Sequence, residues 1–180
     1  LNLEILTGKV RSNTKRDSME QKQYNFEEYS EDELSKIILH RIFDELETKR
    51  HDKLPSNSTI VAMLRSVGWE KKVRVGDHCN HSIDGLLEKV GVCVYMGHSQ
   101  AAFVKILAMQ SLYEDDLINE CYLITQTEKT AELRHKLVNP SARSGTNGNR
   151  ITFTDLINGM SYYHRFITVP ITIIGLDLTV

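Results

Sequence analysis

The chain has 180 residues, enough for one domain with a buried core, and its 41% hydrophobic and 26% charged content is ordinary for a globular protein. A net charge of −2 excludes a histone-like polycation but allows a local basic patch. No apolar run approaches the roughly 20 residues that span a bilayer, so no membrane partner is expected. The three cysteines, Cys79, Cys93 and Cys121, show no disulfide-framework spacing, which predicts a reducing, cytoplasmic location.

The first third of the chain is predicted to hold two helices. Residues 1–29 are polar with weak patterning and are interpreted as an N-terminal arm, and residues 30–180 as a single domain. Apolar residues at helical spacing after a capping box predict a helix over 30–49. A shorter helix is expected from residue 58 or 59 to Gly68.

The middle of the chain changes to the period of a strand. Residues 82–87 and 90–96 are predicted to be two strands, and Glu88-Lys89 the turn between them, which gives a hairpin. Side chains alternate along a strand. Val92, Val94 and Met96 should therefore share one face of the second strand, and Cys93 and Tyr95 the other.

The remaining elements alternate between helix and strand. Ser99 is expected to cap an amphipathic helix, and residues 121–125 to form a buried strand. Thr154 is expected to cap another helix, and residues 169–176 to form a last apolar strand. The order predicts an α/β sandwich whose central mixed sheet, built from a hairpin and then parallel crossovers, is flanked by helices.

The hairpin holds the residue with the clearest chemical signal. Asp84 is the only ionisable residue in the strand 82–87, and a carboxylate there is costly unless it meets solvent, a partner or a metal. A metal-dependent nuclease uses this geometry, with an Asp on the first strand and an acidic residue i on the second strand that shares the metal. Residue i+1 then offers its backbone carbonyl, and residue i+2 positions the attacking water. Read without further context, Asp84 is simply a solvated residue beside a turn.

The whole succession of elements resembles the BglII-type branch of type II restriction endonucleases, which have the PD-(D/E)xK fold. The resemblance covers roughly residues 69–177. It is carried by Ile83-Asp84, Val92-Cys93-Val94-Tyr95, the helix after Gly97-His98-Ser99, the strand 122–126, the polar loop 141–150, a Tyr-bearing helix and the closing strand 169–176.

The resemblance implies a catalytic site in which two positions depart from the family pattern. Asp84 matches the metal-binding Asp, whereas Cys93 stands where the family has an acidic ligand and Tyr95 where it has Glu, Gln or Lys. The metal ligands would be Asp84 and the carbonyl of Val94. Because a thiol is too soft to replace a carboxylate toward Mg²⁺, we expect weak binding of Mg²⁺ or Mn²⁺.

A basic, glycine-containing loop is the candidate DNA-reading segment. Asn side chains can pair with adenine, and Arg side chains with guanine or phosphate. The resemblance places base contacts in this loop, and Thr146-Asn147 matches the Ser-Asn core of the family. The candidate DNA-binding residues of the loop and of a second basic cluster are Arg143, Thr146, Asn147, Asn149, Arg150, Lys71 and Lys72. A merely solvated loop and surface fit the same composition.

These observations lead to one main hypothesis and its alternatives. The main hypothesis is sequence-specific binding of double-stranded DNA by a homodimer, with divalent-metal-dependent hydrolysis of phosphodiester bonds. The alternatives are a catalytically degenerate DNA-binding relative and an interaction domain that keeps only the fold. A zinc site around His78-Cys79 is disfavoured, because adjacent ligands cannot easily turn to one tetrahedral ion.

Overall fold

The structure is a computed structural model that describes residues 3–10, 54–70, 72–77, 79–143, 148–163 and 165–178. The helix predicted over 30–49 and most of the N-terminal arm lie outside these residues. So do three candidate DNA contacts, Lys71, Thr146 and Asn147, and one residue of the disfavoured zinc group, His78.

The described residues form seven strands and four helices. The strands are β1 (Leu3–Val10), β2 (Val73–Arg74), β3 (Ser82–Ile83), β4 (Gly85–Leu87), β5 (Val90–Val94), β6 (Glu120–Gln126) and β7 (Ile171–Leu178). The helices are α1 (Asn57–Ser66), α2 (Ser99–Glu114), α3 (Glu128–Val138) and α4 (Phe153–Tyr163). None of the helices in these ranges is long and apolar enough to cross a membrane.

Five strands form one mixed sheet in the order β1-β7-β6-β5-β4. The β4–β5 hairpin is antiparallel, β5, β6 and β7 run parallel, and β1 closes the edge antiparallel to β7. The expected succession of a hairpin and two parallel crossovers is confirmed. Strand β1 was not predicted, since residues 1–29 were interpreted as a polar arm.

Buried side chains form an apolar cluster on each face of the sheet. One cluster joins Cys93 of β5 to Ile106 and Met109 of α2 and to residues of α4. The other joins Val92 and Val94 to α1. The alternation predicted along the hairpin is therefore confirmed, and it builds the helix–sheet–helix sandwich that the sequence indicated.

Several element boundaries differ from the predicted ones. The first hairpin strand is interrupted at Asp84, and the second ends at Val94. His98, rather than Ser99, is the N-cap of α2. Helix α4 is capped by Thr152 instead of Thr154, because Thr152 Oγ1 accepts from Asp155 N at 3.2 Å and Asp155 Oδ2 accepts from Thr152 N at 3.1 Å.

Helix α3 was not predicted, because its apolar pattern is weak. Thr127 caps it by accepting a hydrogen bond from the backbone N–H of Thr130. Its buried residues are Thr130 and Ala131 alone among those described. A helix that buries so little side-chain surface leaves little periodicity to read.

Candidate functional site

Asp84 lies at the point where the hairpin strand changes partner. Strand β3 before it pairs with β2, and β4 after it pairs with β5. Its own N–H donates to the carbonyl of Val92 at 2.9 Å, and its Oδ2 accepts from the N–H of Val94 at 2.9 Å. The break in the strand therefore turns the carboxylate of Asp84 back against β5. There it lies beside Val94, whose carbonyl is the predicted second metal ligand.

The second oxygen of Asp84 is bound by a lysine that sequence reasoning missed. Lys105 Nζ lies 3.1 Å from Asp84 Oδ1 and donates to the carbonyl of Ser82 at 2.9 Å. Lys105 belongs to α2, three residues after the buried Ala102 and four before the buried Met109. That helical spacing, which places it beside the buried stripe, is the signal that could have indicated it.

Cys93, which the resemblance aligns with the second acidic ligand of the family, is fully buried. Burial raises the pKa of its thiol to about 12, and the negative charge of Asp84 adds to the shift. At neutral pH the side chain is therefore a protonated thiol, an apolar group in practice. The structure places Cys93 beside Asp84, but in a state that adds no charge to the site.

Tyr95 is half-buried, and its ring lies over Gly97 just beyond the end of β5. A Cβ atom at Gly97 would stand 2.8 Å from Tyr95 Oη, so only glycine leaves room for the ring in this position. The backbone N–H of Tyr95 donates to the carbonyl of Ile124 at 2.8 Å and keeps the chain in register with β6. The Tyr95 hydroxyl therefore faces the segment that follows the hairpin.

The side chains present do not fit a hard divalent cation. Mg²⁺ and Mn²⁺ prefer several oxygen ligands, with carboxylates providing the charge. Here the predicted pair, Asp84 and the Val94 carbonyl, supplies one carboxylate, and that carboxylate is already in an ion pair with Lys105. Throughout the described ranges, no group of three His, Cys, Asp or Glu residues is arranged to hold a metal.

The base of the candidate DNA-reading loop is joined to the end of the hairpin. The N–H of Ile151 donates to the carbonyl of Gly97 at 2.8 Å, and His98 and Arg150 form an antiparallel bridge. The fully buried Gln126 donates from Nε2 to Met96 O at 3.1 Å and to Ile151 O at 3.2 Å. Gln126 was not predicted as a site residue, although it ties the loop to the hairpin.

Two arginines meet where the loop returns to the sheet. Burial lowers the pKa of Arg134, on α3, to about 10, and the positive charge of Arg150 adds to the shift. The Arg134 guanidinium donates to the carbonyl of Pro55 and lies 3.5 Å from Met96 Sδ. Arg134 is thus fixed in place, with the half-buried Arg150 near it.

The loop returns to the sheet through two residues with left-handed backbone. Gly148 has φ 62° and Asn149 has φ 59°, a conformation that glycine and asparagine tolerate best. A Cβ at residue 148 would stand 2.5 Å from His135 Nδ1, so the loop crosses α3 in close contact. Of the other candidate DNA contacts, Arg143, Asn149 and Lys72 are exposed.

Comparisons with known proteins agree with this architecture. A family model described as restriction endonuclease BglII/BglIII matches residues 16–176. The crystal structure of restriction endonuclease BglII complexed with a DNA 16-mer superposes with a TM-score of 0.61 at 12% identity, covering 99% of this chain and 78% of that one. Free BglII superposes with a TM-score of 0.51 at 12% identity, covering 99% and 81%. No curated protein matches.

Proposed function

Because this chain belongs to the BglII/BglIII family of restriction endonucleases, we propose that it binds double-stranded DNA at specific sequences. The observation that carries this proposal is the junction between Gly97 and Ile151, which holds the base of the polar loop against the end of the hairpin. A reading loop fixed beside the reaction site is what sequence-specific action on DNA requires.

The chemistry of the loop supports DNA as the ligand. The stretch 134–150 contains Arg134, Lys136, Arg143 and Arg150 and no acidic residue. Arginine can contact phosphate or pair with guanine through two hydrogen bonds, and asparagine can do so with adenine. The proposed DNA contacts in this stretch are Arg143, Thr146, Asn147, Asn149 and Arg150. Lys71 and Lys72 are proposed as further contacts outside it.

We propose that binding, rather than efficient cleavage, is the main activity of this chain. Its site offers one carboxylate, that of Asp84, which is already in an ion pair with Lys105, and one buried, protonated thiol, that of Cys93. Hydrolysis of DNA with weakly held Mg²⁺ or Mn²⁺ at Asp84 and Val94 is the second candidate. It is favoured by family membership and by the position of Asp84 against β5.

Cleavage and gel-shift assays on mixed-sequence duplex DNA separate these activities. The chain is incubated with Mg²⁺ and then with Mn²⁺, beside Asp84→Asn and the matched control Asp115→Asn, an exposed residue at the end of α2. Salt-sensitive shifts without fragments are expected. Discrete fragments that are lost only in Asp84→Asn would favour hydrolysis, and the absence of any shift would refute DNA binding.

Two further parts of the proposal concern assembly and location. We propose a homodimer, since closed two-fold symmetry is the commonest arrangement of oligomers and matches a palindromic site. A cytoplasmic location is supported by the three free cysteines, Cys79, Cys93 and Cys121. Light scattering with and without duplex tests the dimer, and a monomer in both conditions would exclude it.

A further inference from the structure

The ion pair between Lys105 and Asp84 is held in place by further hydrogen bonds to the backbone. The carboxylate accepts from the backbone of Val94 through Oδ2 at 2.9 Å and from Lys105 through Oδ1 at 3.1 Å. The lysine is held in turn by the carbonyl of Ser82 at 2.9 Å. Three elements of the fold, namely β3, β5 and α2, therefore determine where this ammonium lies.

This position is the one that a divalent cation would need. An ion bound to Asp84 would come within the distance from Lys105 at which like charges strongly oppose each other, about 4–6 Å. Cys93, which the resemblance aligns with the family's acidic ligand, is a fully buried cysteine and so brings no carboxylate to offset that repulsion. Metal entry would therefore require the ammonium to leave the Asp84 carboxylate.

The ion pair also remains accessible from solvent. The exposed fraction is 21% for the Lys105 side chain and 18% for that of Asp84. An ammonium has three N–H donors, and within the described residues two acceptors are assigned to them. One donor therefore remains for an oxygen of a ligand, and a phosphate oxygen is such an acceptor.

We propose that the Lys105 ammonium is the resident cation of this site: it closes the Asp84 carboxylate to divalent ions and supplies the positive charge that meets a DNA phosphate. The second half rests on the DNA binding proposed above, whereas the first half does not depend on DNA. The usual family metal is thus replaced by a side chain of the protein itself.

The first half is tested by calorimetric titration of the folded chain with Mn²⁺, without DNA. Lys105→Met keeps the aliphatic stem and removes the charge. Because a like charge near the carboxylate is gone, it should bind Mn²⁺ at least about tenfold more tightly than the wild type, whose residual Mn²⁺ binding should be the same in Asp84→Asn. Lys105→Arg, which keeps the charge, should behave as the wild type. Lys105→Met combined with Asp84→Asn should lose the gain.

Two results would overturn this half. One is equal Mn²⁺ affinity in the wild type and Lys105→Met. The other is saturable Mn²⁺ binding by the wild type that Asp84→Asn abolishes, a comparison that decides the matter even if Lys105→Met fails to fold. Circular dichroism establishes folding for each variant.

The second half is tested by measuring duplex affinity in EDTA, in Mg²⁺ and, for Lys105→Met, also in Mn²⁺. The wild type should bind equally in EDTA and in Mg²⁺, and Lys105→Met should bind several-fold more weakly in EDTA and recover in Mn²⁺. Wild-type binding that requires a divalent ion would overturn this half. Absence of DNA binding under every condition would refute the proposed function while leaving the Mn²⁺ result intact.

Discussion

Gly97 and Ile151 are joined by a 2.8 Å hydrogen bond from the N–H of Ile151 to the carbonyl of Gly97. This bond lies between the end of the hairpin that carries Asp84 and the end of the polar loop. Gln126 reinforces it from beneath by donating to the carbonyls on either side, those of Met96 and Ile151. The base of the loop at Ile151 is therefore held by main-chain groups and one buried amide.

Replacing Gln126 with Met should release the loop from the hairpin. Two buried carbonyls would lose a donor, which costs about 1–3 kcal/mol for each, and the discrimination between specific and random duplexes should fall. Gln110→Met is the matched control, because Gln110 also holds buried backbone groups, at Thr168 and Val169, away from the loop. Urea unfolding and binding anisotropy measure the two effects. An equal loss of discrimination in both variants would contradict the assigned role.

Arg150→Ala should weaken duplex binding and leave the fold intact. Removal of one phosphate contact lowers the dependence of log affinity on log salt by about one. Lys89→Ala is the control, since Lys89 is exposed in the β4–β5 turn, at the opposite end of β5 from Gly97. Anisotropy titrations over a range of salt provide the measurement. An unchanged slope in Arg150→Ala would remove this residue from the interface.

Restoring the second acidic ligand should create a metal site. Cys93→Glu combined with Tyr95→Gln supplies a carboxylate next to Asp84, so Mn²⁺ should bind the folded state and raise Tm by about 3 °C or more. The control is Cys93→Gln combined with Tyr95→Gln, which has the same shape without the charge. Thermal melts with and without Mn²⁺ compare them. Equal shifts in the two variants would argue against the alignment of Cys93 with the family ligand.

The cysteines should differ sharply in reactivity. Cys93 and Cys121 are buried, and burial raises the pKa of both thiols above the usual 9.0. Since the thiolate is the reacting form, both should resist iodoacetamide at about pH 8, whereas the partly exposed Cys79 reacts. Mass spectrometry of the native and the denatured chain checks this. Rapid native labelling of Cys93 would show that its position is not buried.

The same shift predicts how stability responds to alkaline pH. Between 9.0 and about 12, the unfolded chain releases the Cys93 proton that the folded chain retains, so the free energy of unfolding falls as pH rises through that window. The slope from one thiol is at most about 1.4 kcal/mol per pH unit. The free energy of unfolding, measured in urea at several pH values, should fall less steeply with pH in Cys93→Ala than in the wild type. An equal pH dependence in the two proteins would contradict the prediction.

The sequence predicted those parts of the site that depend on local alternation. Asp84, Cys93 and Tyr95 could be placed because a strand exposes alternate residues to alternate faces, and the hairpin follows from its turn. Lys105 could not, because a lysine on an amphipathic helix usually extends into solvent, and its contact with Asp84 depends on how α2 packs over the hairpin. Gln126 likewise gains its role only when three separate segments meet.

Of the strands at the two ends of the described residues, β7 was predicted from the sequence and β1 was not. The apolar run of β7 indicates a buried strand by itself, whereas β1 mixes polar and apolar residues and a glycine, LEILTGKV. Its strand character comes from pairing with β7 along its whole length, from Leu3↔Leu178 to Val10↔Ile171. Such distant pairing leaves no local period in the sequence.

The position of β7 between β1 and β6 also determines when the sheet can be completed. The hairpin and β6 precede β7 in the chain and can pair while synthesis continues, whereas β1, which precedes them, must wait for β7. Contacts between residues so far apart are slow to form. The edge of the sheet should therefore be the last part to fold, and β6 remains an open edge, able to pair with another chain, until β7 emerges.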